Sequence, residues 1–312
     1  MRAVFIDAND TLAGVIGRLH GPSDVALTIH RDPAIASAAI PEVLAGADIA
    51  IIDHSFLPID IARQCQGLKH VVFLGTGARS YMDPEALAGL GIAVHTIKGY
   101  GDTAVAECAV GLMWAAARRF GRMDRGIRAG QWLRTDSVQL TGKTLGLIGY
   151  GGIAREVARM AAGCGLRVIA WNRTPRTDER IAFLPLESVL AESDVLSLHL
   201  TLDAETRGFL SAARIAAMKP GAILINTARG ALVDEAAMIA ALQSGHLGHA
   251  GLDVYDIEPL PADHPLTRLD TVTLSAHSAF RTPEASDNLI AAALAHCRRI
   301  AATAADPESR NQ

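Results

Sequence analysis

The sequence predicts an α/β protein with two parallel-sheet domains, each doubly wound. Apolar, strand-like runs alternate with helical segments in both halves of the chain, and this rhythm is typical of parallel sheets. A glycine-rich turn joins two such runs within Thr144–Thr174. At 312 residues, the chain is also long enough to form two hydrophobic cores.

Composition excludes several classes of function. The formal net charge is −4 and the sequence contains no dense Lys/Arg run, so we expect no nucleic-acid partner. No uncharged apolar run is long enough to span a bilayer, so we expect no membrane partner. The N-terminus enters a strand-like run without the pattern of a signal peptide, which predicts a cytoplasmic protein. The four cysteines lack metal-ligand spacing, so we expect reduced thiols and no metal: Cys65, Cys108, Cys164 and Cys297.

Residues 1–101 form the first alternating block and predict a parallel sheet covered on both faces. Gly75-Thr76-Gly77 follows its fourth strand, at the edge where open α/β sheets bind ligands. Backbone N–H groups there would suit an anion, and a plain glycine turn explains the segment equally well. The predicted strands are Ala3–Ile6, Val25–Ile29, Asp48–Ile52, His70–Leu74 and Ile92–Thr96, and the helical segments include Ile40–Gly46, Ile59–Cys65 and Asp83–Ala88.

A long helix is predicted from Thr103 to Phe120, with Asp102 or Thr103 as its N-cap. It is apolar around much of its circumference, which favours burial against another domain or another subunit. Several arginines follow, and a solvated helix end or the rim of a dimer explains them better than a phosphate site: Arg118, Arg119, Arg122, Arg125 and Arg128.

The glycine turn lies between a strand at Thr144–Ile148 and a helix, with a second strand at Leu166–Trp171. Residues 149–154, GYGGIA, match the pattern G-x-G-x-x-G/A in the setting that dinucleotide binding requires. Gly149 permits the tight turn, and Gly151 lets backbone N–H groups approach a pyrophosphate at the helix N-terminus. A purely structural turn is the alternative.

The second block continues the alternation and predicts a doubly wound sheet. Its further strands are Val195–Leu200, Ala222–Asn226, His249–Val254 and Val272–Ala276, and its helices include Leu186–Ala191, Ser211–Met218 and Glu235–Ser244. An alanine-rich helix follows at Glu284–Ala302, and residues 305–312 are predicted to be a disordered tail.

Four residues that could take part in catalysis or ligand binding lie at or after strand ends of this second block. Arg229 comes just after one strand, Asp253 ends the next with Glu258 five residues later, and His277 ends the last. All of them should lie at the carboxyl edge of the sheet, beside the cofactor. Arg grips carboxylates, His supplies a proton near neutral pH, and a neighbouring Glu favours the imidazolium. Taken singly, each residue could be structural, but together they suit reduction of a 2-keto acid.

The motifs that carry these residues resemble those of the D-isomer-specific 2-hydroxyacid dehydrogenases, and most closely the glyoxylate/hydroxypyruvate reductases. The resemblance rests on GYGGIA (149–154), SLHLTLDAETRG (197–208), MKPGAILINTARGALVDE (218–235), GLDVYDIEPLP (251–261) and LSAHSAFRTPEA (274–285). It implies a catalytic triad of Arg229, Glu258 and His277. It also implies a flavodoxin-like substrate domain of residues 1–101 and 284–312, and a Rossmann dinucleotide-binding domain of residues 102–283. The long helix after Asp102 would form a homodimer.

Ligand contacts follow from the same resemblance. The substrate would bind Thr76, Gly77 and Arg229 through its carboxylate and His277 through its carbonyl oxygen, and Asp253 would hold the nicotinamide carboxamide. Cofactor contacts are expected at Gly149, Gly151, Gly152, Ile153, Asn172, Arg173, Thr174, His199, Thr201, Thr206, Thr227, Ala228, Asp253 and Ala279.

The sequence departs from the family pattern in the segment that would meet the adenosine ribose. Relatives usually carry an Asp at the end of the second strand of this domain, whereas this chain has Asn172-Arg173-Thr174 and no acid before Asp178. Such residues would welcome a 2′-phosphate, which predicts NADP in preference to NAD. Two further departures are a substrate loop, GTGARSYMD, one residue longer than usual, and Cys108, a packing thiol where many relatives have His or Tyr.

These observations predict an oxidoreductase that transfers hydride from NADPH, or from NADH, to a small 2-keto acid such as glyoxylate or hydroxypyruvate. The alternative is a dimeric, NAD(P)-sensing binding protein with the same fold. Turnover of 2-keto acids would distinguish the two hypotheses.

Overall fold

A computed structural model describes residues 1–178 and 180–305. The chain divides into two compact units, one formed by Met1–Gly101 with the described residues from Thr282 onward, the other by Asp102–Arg281. Beyond Ala305, the predicted tail lies outside the described residues. None of the helices in the described part combines the length and apolar character that crossing a bilayer requires.

The chain alternates between strands and helices throughout. The strands are β1 (Arg2–Phe5), β2 (Ala26–Ile29), β3 (Ile49–Ile52), β4 (His70–Phe73), β5 (Ala93–Thr96), β6 (Thr144–Ile148), β7 (Arg167–Trp171), β8 (Ala182–Phe183), β9 (Val195–Leu198), β10 (Ala222–Asn226), β11 (Leu247–Leu252) and β12 (Val272–Leu274). The α-helices are α1 (Asp10–Leu19), α2 (Ile40–Val43), α3 (Ile59–Ala62), α4 (Pro84–Gly89), α5 (Asp102–Arg118), α6 (Phe120–Arg128), α7 (Gly152–Gly163), α8 (Leu186–Glu192), α9 (Ala212–Ala216), α10 (Glu235–Ser244) and α11 (Pro283–Ala305). Short 3-10 turns occupy Ser37–Ala39, Ala78–Ser80, Gly230–Leu232 and Pro265–Arg268.

The first unit contains a five-stranded parallel sheet in the order β2-β1-β3-β4-β5. This is the flavodoxin-like order, and it confirms the fold predicted for this part of the chain. Helices α1 and α11 cover one face of the sheet, while α2, α3 and α4 cover the other. The central strands are apolar on both faces for this reason.

The second unit contains a seven-stranded parallel sheet in the order β12-β11-β10-β9-β6-β7-β8. The chain winds outward from β6 through β8, then crosses to β9 and winds the opposite way to β12. This is the predicted Rossmann arrangement, and ligands of such sheets bind where the winding reverses, here beside β6 and β9. Strand β8 was not predicted, since two residues leave no detectable pattern.

Helix α5 is buried by its own unit. Its small and apolar residues pack against α7 and against β10 and β11 of the sheet. Gly251 of β11 allows this close approach, because a Cβ on Gly251 would lie 3.1 Å from Cβ of Leu112. The residues of α5 that pack in this way are buried within its own unit, and a contact of α5 with another subunit stays a prediction. The buried residues of α5 are Ala106, Ala109, Leu112, Met113, Ala116 and Ala117.

Three strands end earlier than their apolar patterns predict. β9 ends at Leu198, β11 at Leu252 and β12 at Leu274, whereas each predicted strand extends two residues further, through one polar and one apolar residue. The chain leaves the hydrogen-bonded ladder there and turns over the carboxyl edge of the sheet, buried at Asp253 and Val254 but exposed at Ala276. The candidate functional residues occupy these turns.

Candidate active site

The glycine turn between β6 and α7 leaves its backbone open to a ligand. Gly149 has a φ of +89°, and a Cβ on it would lie 2.7 Å from the carbonyl oxygen of His199. Glycine is therefore required by both conformation and space. Gly151 is the N-cap of α7 and provides no side-chain cap, and a Cβ there would meet no atom within 4 Å. The first N–H groups of the helix thus remain available to an anion.

Gly152 serves a different purpose, because it makes room for Asp102. A Cβ on Gly152 would overlap the Asp102 carboxylate at the start of α5. Burial, and then the nearby Glu156 carboxylate, raise the pKa of Asp102. Ile153 follows in the first turn of α7 and packs against the core that α5 and α7 share. The turn thus has one face toward the protein and one open face.

The segment after β7 holds the glycine turn and carries a positive charge. The Asn172 side chain accepts a hydrogen bond from Tyr150 N (2.9 Å) and donates one to the Thr174 carbonyl (2.6 Å). Arg173 is exposed, and its Nη1 lies 2.6 Å from Oε2 of Glu205. Asn172 is therefore a structural residue of the turn, and Arg173 is the side chain that carries the charge.

Asp178, the first carboxylate after β7, already has partners. It accepts hydrogen bonds from the Tyr150 hydroxyl (2.9 Å) and from two nitrogens of Arg180 (3.0 Å each). The hydrogen bonds from Arg180 and Tyr150 lower the pKa of Asp178. Burial, and secondarily Asp178, raise the pKa of Tyr150 to about 12. This carboxylate therefore serves the glycine turn rather than replacing the acid that relatives carry at the end of β7.

The loop after β9 contains three of the predicted cofactor contacts. His199 Nε2 lies 2.9 Å from the Ser197 hydroxyl, and burial lowers the pKa of His199 to about 4, so the ring is neutral at pH 7. The buried Thr206 hydroxyl donates to the Thr201 carbonyl (2.7 Å) and accepts from Asp203 N (2.8 Å). Thr206 therefore fixes the turn that presents Thr201 and Glu205.

The turn after β10 presents Arg229. Buried Asn226 shapes this turn, since its side chain accepts from Ala228 N (3.0 Å) and donates to the Arg229 carbonyl (2.9 Å). The Thr227 hydroxyl is buried and has no hydrogen-bond partner among the residues that the structure describes. Gly230 has no room for a side chain, because a Cβ would overlap the backbone of Tyr255. The Arg229 turn and the segment after β11 are thus in direct contact.

His277 and Glu258 form the pair that the sequence predicted to carry the proton chemistry. His277 Nδ1 lies 2.6 Å from Glu258 Oε2, and the other carboxylate oxygen accepts from Tyr255 N (2.9 Å). Both side chains are about one-third exposed, at 38% and 33%. Because Nδ1 faces the carboxylate, Nε2 is the ring nitrogen left for a substrate.

Asp253 lies at the centre of the turn that carries His277. Its fully buried carboxylate accepts hydrogen bonds from the Ser275 hydroxyl (2.6 Å), Ser278 N (3.0 Å) and Ala279 N (2.9 Å). His277 N donates to the Asp253 carbonyl (2.8 Å). Asp253 therefore binds the turn on both sides of His277.

Thr76 and Gly77 belong to the first unit, in the loop after β4. Gly75 has a φ of +153°, Gly77 precedes the 3-10 turn Ala78–Ser80, and Ser80 N donates to the Gly77 carbonyl (3.0 Å). The 3-10 turn lies within the loop that the sequence analysis predicted to be one residue longer than usual. Arg79 forms an ion pair with Glu85, so its charge is neutralised locally.

The structure groups most of the predicted residues of the second unit at the carboxyl edge of its sheet. Direct contacts join Glu258 to His277, Asp253 to Ala279, and Asn172 to the glycine turn. Four residues that shape the site were not predicted, although each lies within a motif that the sequence analysis identified: Tyr150, Asn226, Tyr255 and Ser275. Polar residues at the ends of apolar strands are the signal that would have found Asn226 and Ser275.

Comparison with known proteins places this geometry in a family context. The model for the NAD-binding domain of the D-isomer-specific 2-hydroxyacid dehydrogenases matches residues 110–279. Over 253 residues, the chain is 38% identical to a glyoxylate reductase of Aeropyrum pernix, covering 74% of this chain and 75% of the relative. It is 37% identical, also over 253 residues, to a hydroxypyruvate reductase of Thermotoga maritima, covering 79% of this chain and 81% of the relative.

A solved structure extends the similarity to nearly the whole chain. An acyclic imino acid reductase in complex with NADPH and D-Arg superposes with a TM-score of 0.81 at 28% sequence identity. The match covers 93% of this chain and 94% of that one.

Proposed function

The chain belongs to the D-isomer-specific 2-hydroxyacid dehydrogenase family, and we propose that it reduces a small 2-keto acid with NADPH as the preferred hydride donor. The observation that carries this proposal is the His277–Glu258 pair, in which one imidazole nitrogen faces a carboxylate at 2.6 Å. As a proton donor, the ring carries a proton on each nitrogen, and the Nδ1 proton bonds to Glu258. Nε2 of the charged ring then donates a proton to the oxygen of the substrate carbonyl as that oxygen becomes an alkoxide.

Arg229 complements this acid. The exposed guanidinium is suited to binding the substrate carboxylate through two parallel hydrogen bonds and to polarising the neighbouring carbonyl. Support comes from the turn itself, because the Asn226 side chain bonds to both Ala228 and Arg229 and so fixes where the arginine leaves the sheet.

The residues of the second unit fit a nicotinamide dinucleotide. The buried Thr227 hydroxyl lacks a partner within the described chain, the N-terminus of α7 is uncapped by Gly151, and the site beside Gly151 is open. Gly151, Gly152 and Ile153 would hold the pyrophosphate through their backbone N–H groups, whereas the Gly149 N–H already donates to the Trp171 carbonyl (2.8 Å) and Gly149 serves the tight turn. Thr227 and Ala228 would line the cofactor. The bound cofactor supplies the hydride that reduces the carbonyl carbon.

The preference for NADPH rests on the charges after β7. Asn172 replaces the acid that would repel a 2′-phosphate, and Asp178 is neutralised by Arg180. Arg173 offers an exposed guanidinium to the phosphate. Glu205, its present partner, would have to release or share it.

Substrate class follows from the relatives. The named glyoxylate and hydroxypyruvate reductases favour a substrate of two or three carbons, which we extend to this chain. We assign residues 1–101 and 284–312 to the substrate domain, with Thr76 and Gly77 binding the carboxylate, and residues 102–283 to the dinucleotide-binding domain. The division into compact units after Gly101 and Arg281 supports this assignment.

We further propose that the protein is a cytoplasmic homodimer. Large apolar side chains are exposed along α6 and the segment that follows it, a pattern typical of protein interfaces. We call this set the α6 patch: Phe120, Ile127, Trp132 and Val138. The four cysteines are free, as expected of a reducing compartment.

The proposal is tested by following NADPH oxidation against a panel of 2-keto acids and repeating the measurement with NADH. We expect turnover with glyoxylate or hydroxypyruvate and a higher kcat/KM with NADPH. An equal or higher kcat/KM with NADH would refute the coenzyme preference. If none of the 2-keto acids supports NADPH oxidation although the protein still binds NADPH, the NAD(P)-sensing alternative would be favoured.

A further inference from the structure

The backbone of His277 adopts a conformation that it would not hold unaided. Its φ is +48°, in the left-handed region, and Arg119 is the only other non-glycine residue with positive φ in the described part of the chain. A side chain in this region crowds its own backbone, so surrounding contacts must hold it there. The source of those contacts determines whether the imidazole faces Glu258.

The contacts come from Asp253. Its carboxylate receives the Ser275 hydroxyl on one side of His277, and the N–H groups of Ser278 and Ala279 on the other. These bonds are shielded from water, because Asp253 is fully buried. Hydrogen bonds to a buried carboxylate are stronger than those between neutral groups.

Ser275 links this carboxylate to the other half of the dyad. Its carbonyl accepts from the Tyr255 hydroxyl (2.6 Å), while Tyr255 N donates to Glu258 Oε1 (2.9 Å). Ser275 N also donates to the Leu252 carbonyl (2.9 Å). A single residue thus bonds to the segment that holds Glu258 and to the carboxylate that holds the His277 turn.

We propose that Ser275, acting through Asp253, is a positioning residue that fixes His277 opposite Glu258. A carboxylate has about four acceptor positions, of which the turn uses three. Most of the acceptor capacity of Asp253 therefore holds the turn of the acid in place. The inference rests on the proposed role of His277.

The test compares two variants that each remove one side-chain hydroxyl; that of Ser275 also donates a long hydrogen bond to the Leu252 carbonyl (3.5 Å). Ser275→Ala removes the bond to Asp253, whereas Thr273→Ala, on β12 two residues earlier, removes a 3.0 Å bond to His249 that lies outside the site. We expect Ser275→Ala to lower kcat about tenfold, the scale of one charge-assisted hydrogen bond, with KM for NADPH within about twofold. Thr273→Ala should lower Tm and leave kcat within about twofold.

Two further variants make the result specific. Ser275→Thr keeps the hydroxyl and should restore most of kcat. In a His277→Ala background, Ser275→Ala should change the residual rate less than about twofold, because a positioning residue acts only through its target. An equal loss in both backgrounds, or an equal loss in Thr273→Ala, would overturn the inference. If Ser275→Ala is fully active while His277→Ala is inactive, only the inference fails; if His277→Ala is fully active, the proposed acid fails with it.

Discussion

Replacing Glu205 with Gln should raise the catalytic efficiency with NADPH and leave that with NADH unchanged. Glu205 Oε2 lies 2.6 Å from Arg173 Nη1, and both side chains are largely exposed, at 77% and 64%. An exposed ion pair of this kind contributes only about 0.2–1 kcal/mol, so its loss should not unfold the segment. The larger effect is on the ligand, because a carboxylate beside Arg173 repels a 2′-phosphate.

The size of that repulsion follows from Coulomb's law. The Glu205 carboxylate and a 2′-phosphate bound to the same Arg173 guanidinium would lie roughly 5 Å apart. Two unit negative charges at that distance in water repel by about 0.8 kcal/mol. A phosphate with nearly two charges doubles this value, and physiological salt removes about half of it. The remainder of about 0.8 kcal/mol corresponds to an increase of about fourfold in kcat/KM for NADPH.

Steady-state kinetics with both coenzymes measures the effect. Arg173→Ala should lower kcat/KM for NADPH about tenfold or more, since it removes a charge-assisted bond to the phosphate. The matched control is Glu192→Gln, which removes a carboxylate from another exposed pair, with Arg167 at 2.9 Å, at the opposite end of β7. Glu192→Gln should leave kcat/KM unchanged for both coenzymes. A drop in NADPH efficiency in Glu205→Gln, or none in Arg173→Ala, would refute the electrostatic argument.

Two other predictions concern stability and assembly. Burial lowers the pKa of His70, His95 and His296, which cluster in the first unit. The folded state therefore favours neutral rings. The stabilisation that comes from this preference is complete above the pKa of histidine in the unfolded chain, near 6.5, and is lost as the pH falls below that pKa. Tm should fall between pH 7.5 and pH 5, and His95→Gln should reduce the slope; an identical slope in the variant would rule the cluster out. Trp132→Asp, within the α6 patch, should convert a dimer to a monomer in light-scattering measurements, and a variant that stays dimeric would exclude the patch as the interface.

Much of the fold could be predicted from sequence because its cause is local. Apolar runs of four or five residues set the strands of both sheets, and the glycine pattern at 149–154 marked the turn beside β6. Strand ends were less predictable, because apolar residues such as Val254 stay buried after the hydrogen-bonded ladder has ended. The apolar pattern of α5 predicted its burial but did not indicate that its own unit packs against one face, since an apolar helix does not specify whether its own sheet, another domain or another subunit covers it.

Within the site, residue type indicated chemistry better than it indicated contacts. The His277–Glu258 contact was predicted from strand-end positions 19 residues apart. Asn172 was expected to favour a phosphate, but its side chain bonds to the backbone of Tyr150 and Thr174, so Arg173 is left to carry the preference. Asp253 accepts three hydrogen bonds from Ser275, Ser278 and Ala279. The spacing of residues in the sequence does not indicate tertiary hydrogen bonds of this kind.

The central claim is that His277, held by Glu258, is the proton donor of a 2-keto acid reductase. The most direct test is kcat of His277→Ala with NADPH and the best substrate of the panel, together with the Kd for NADPH from fluorescence titration. We expect kcat to fall by about 10²–10⁴-fold, the usual contribution of general acid catalysis, while Kd stays within about twofold. A kcat within a few-fold of the parent value, at unchanged Kd, would contradict the account.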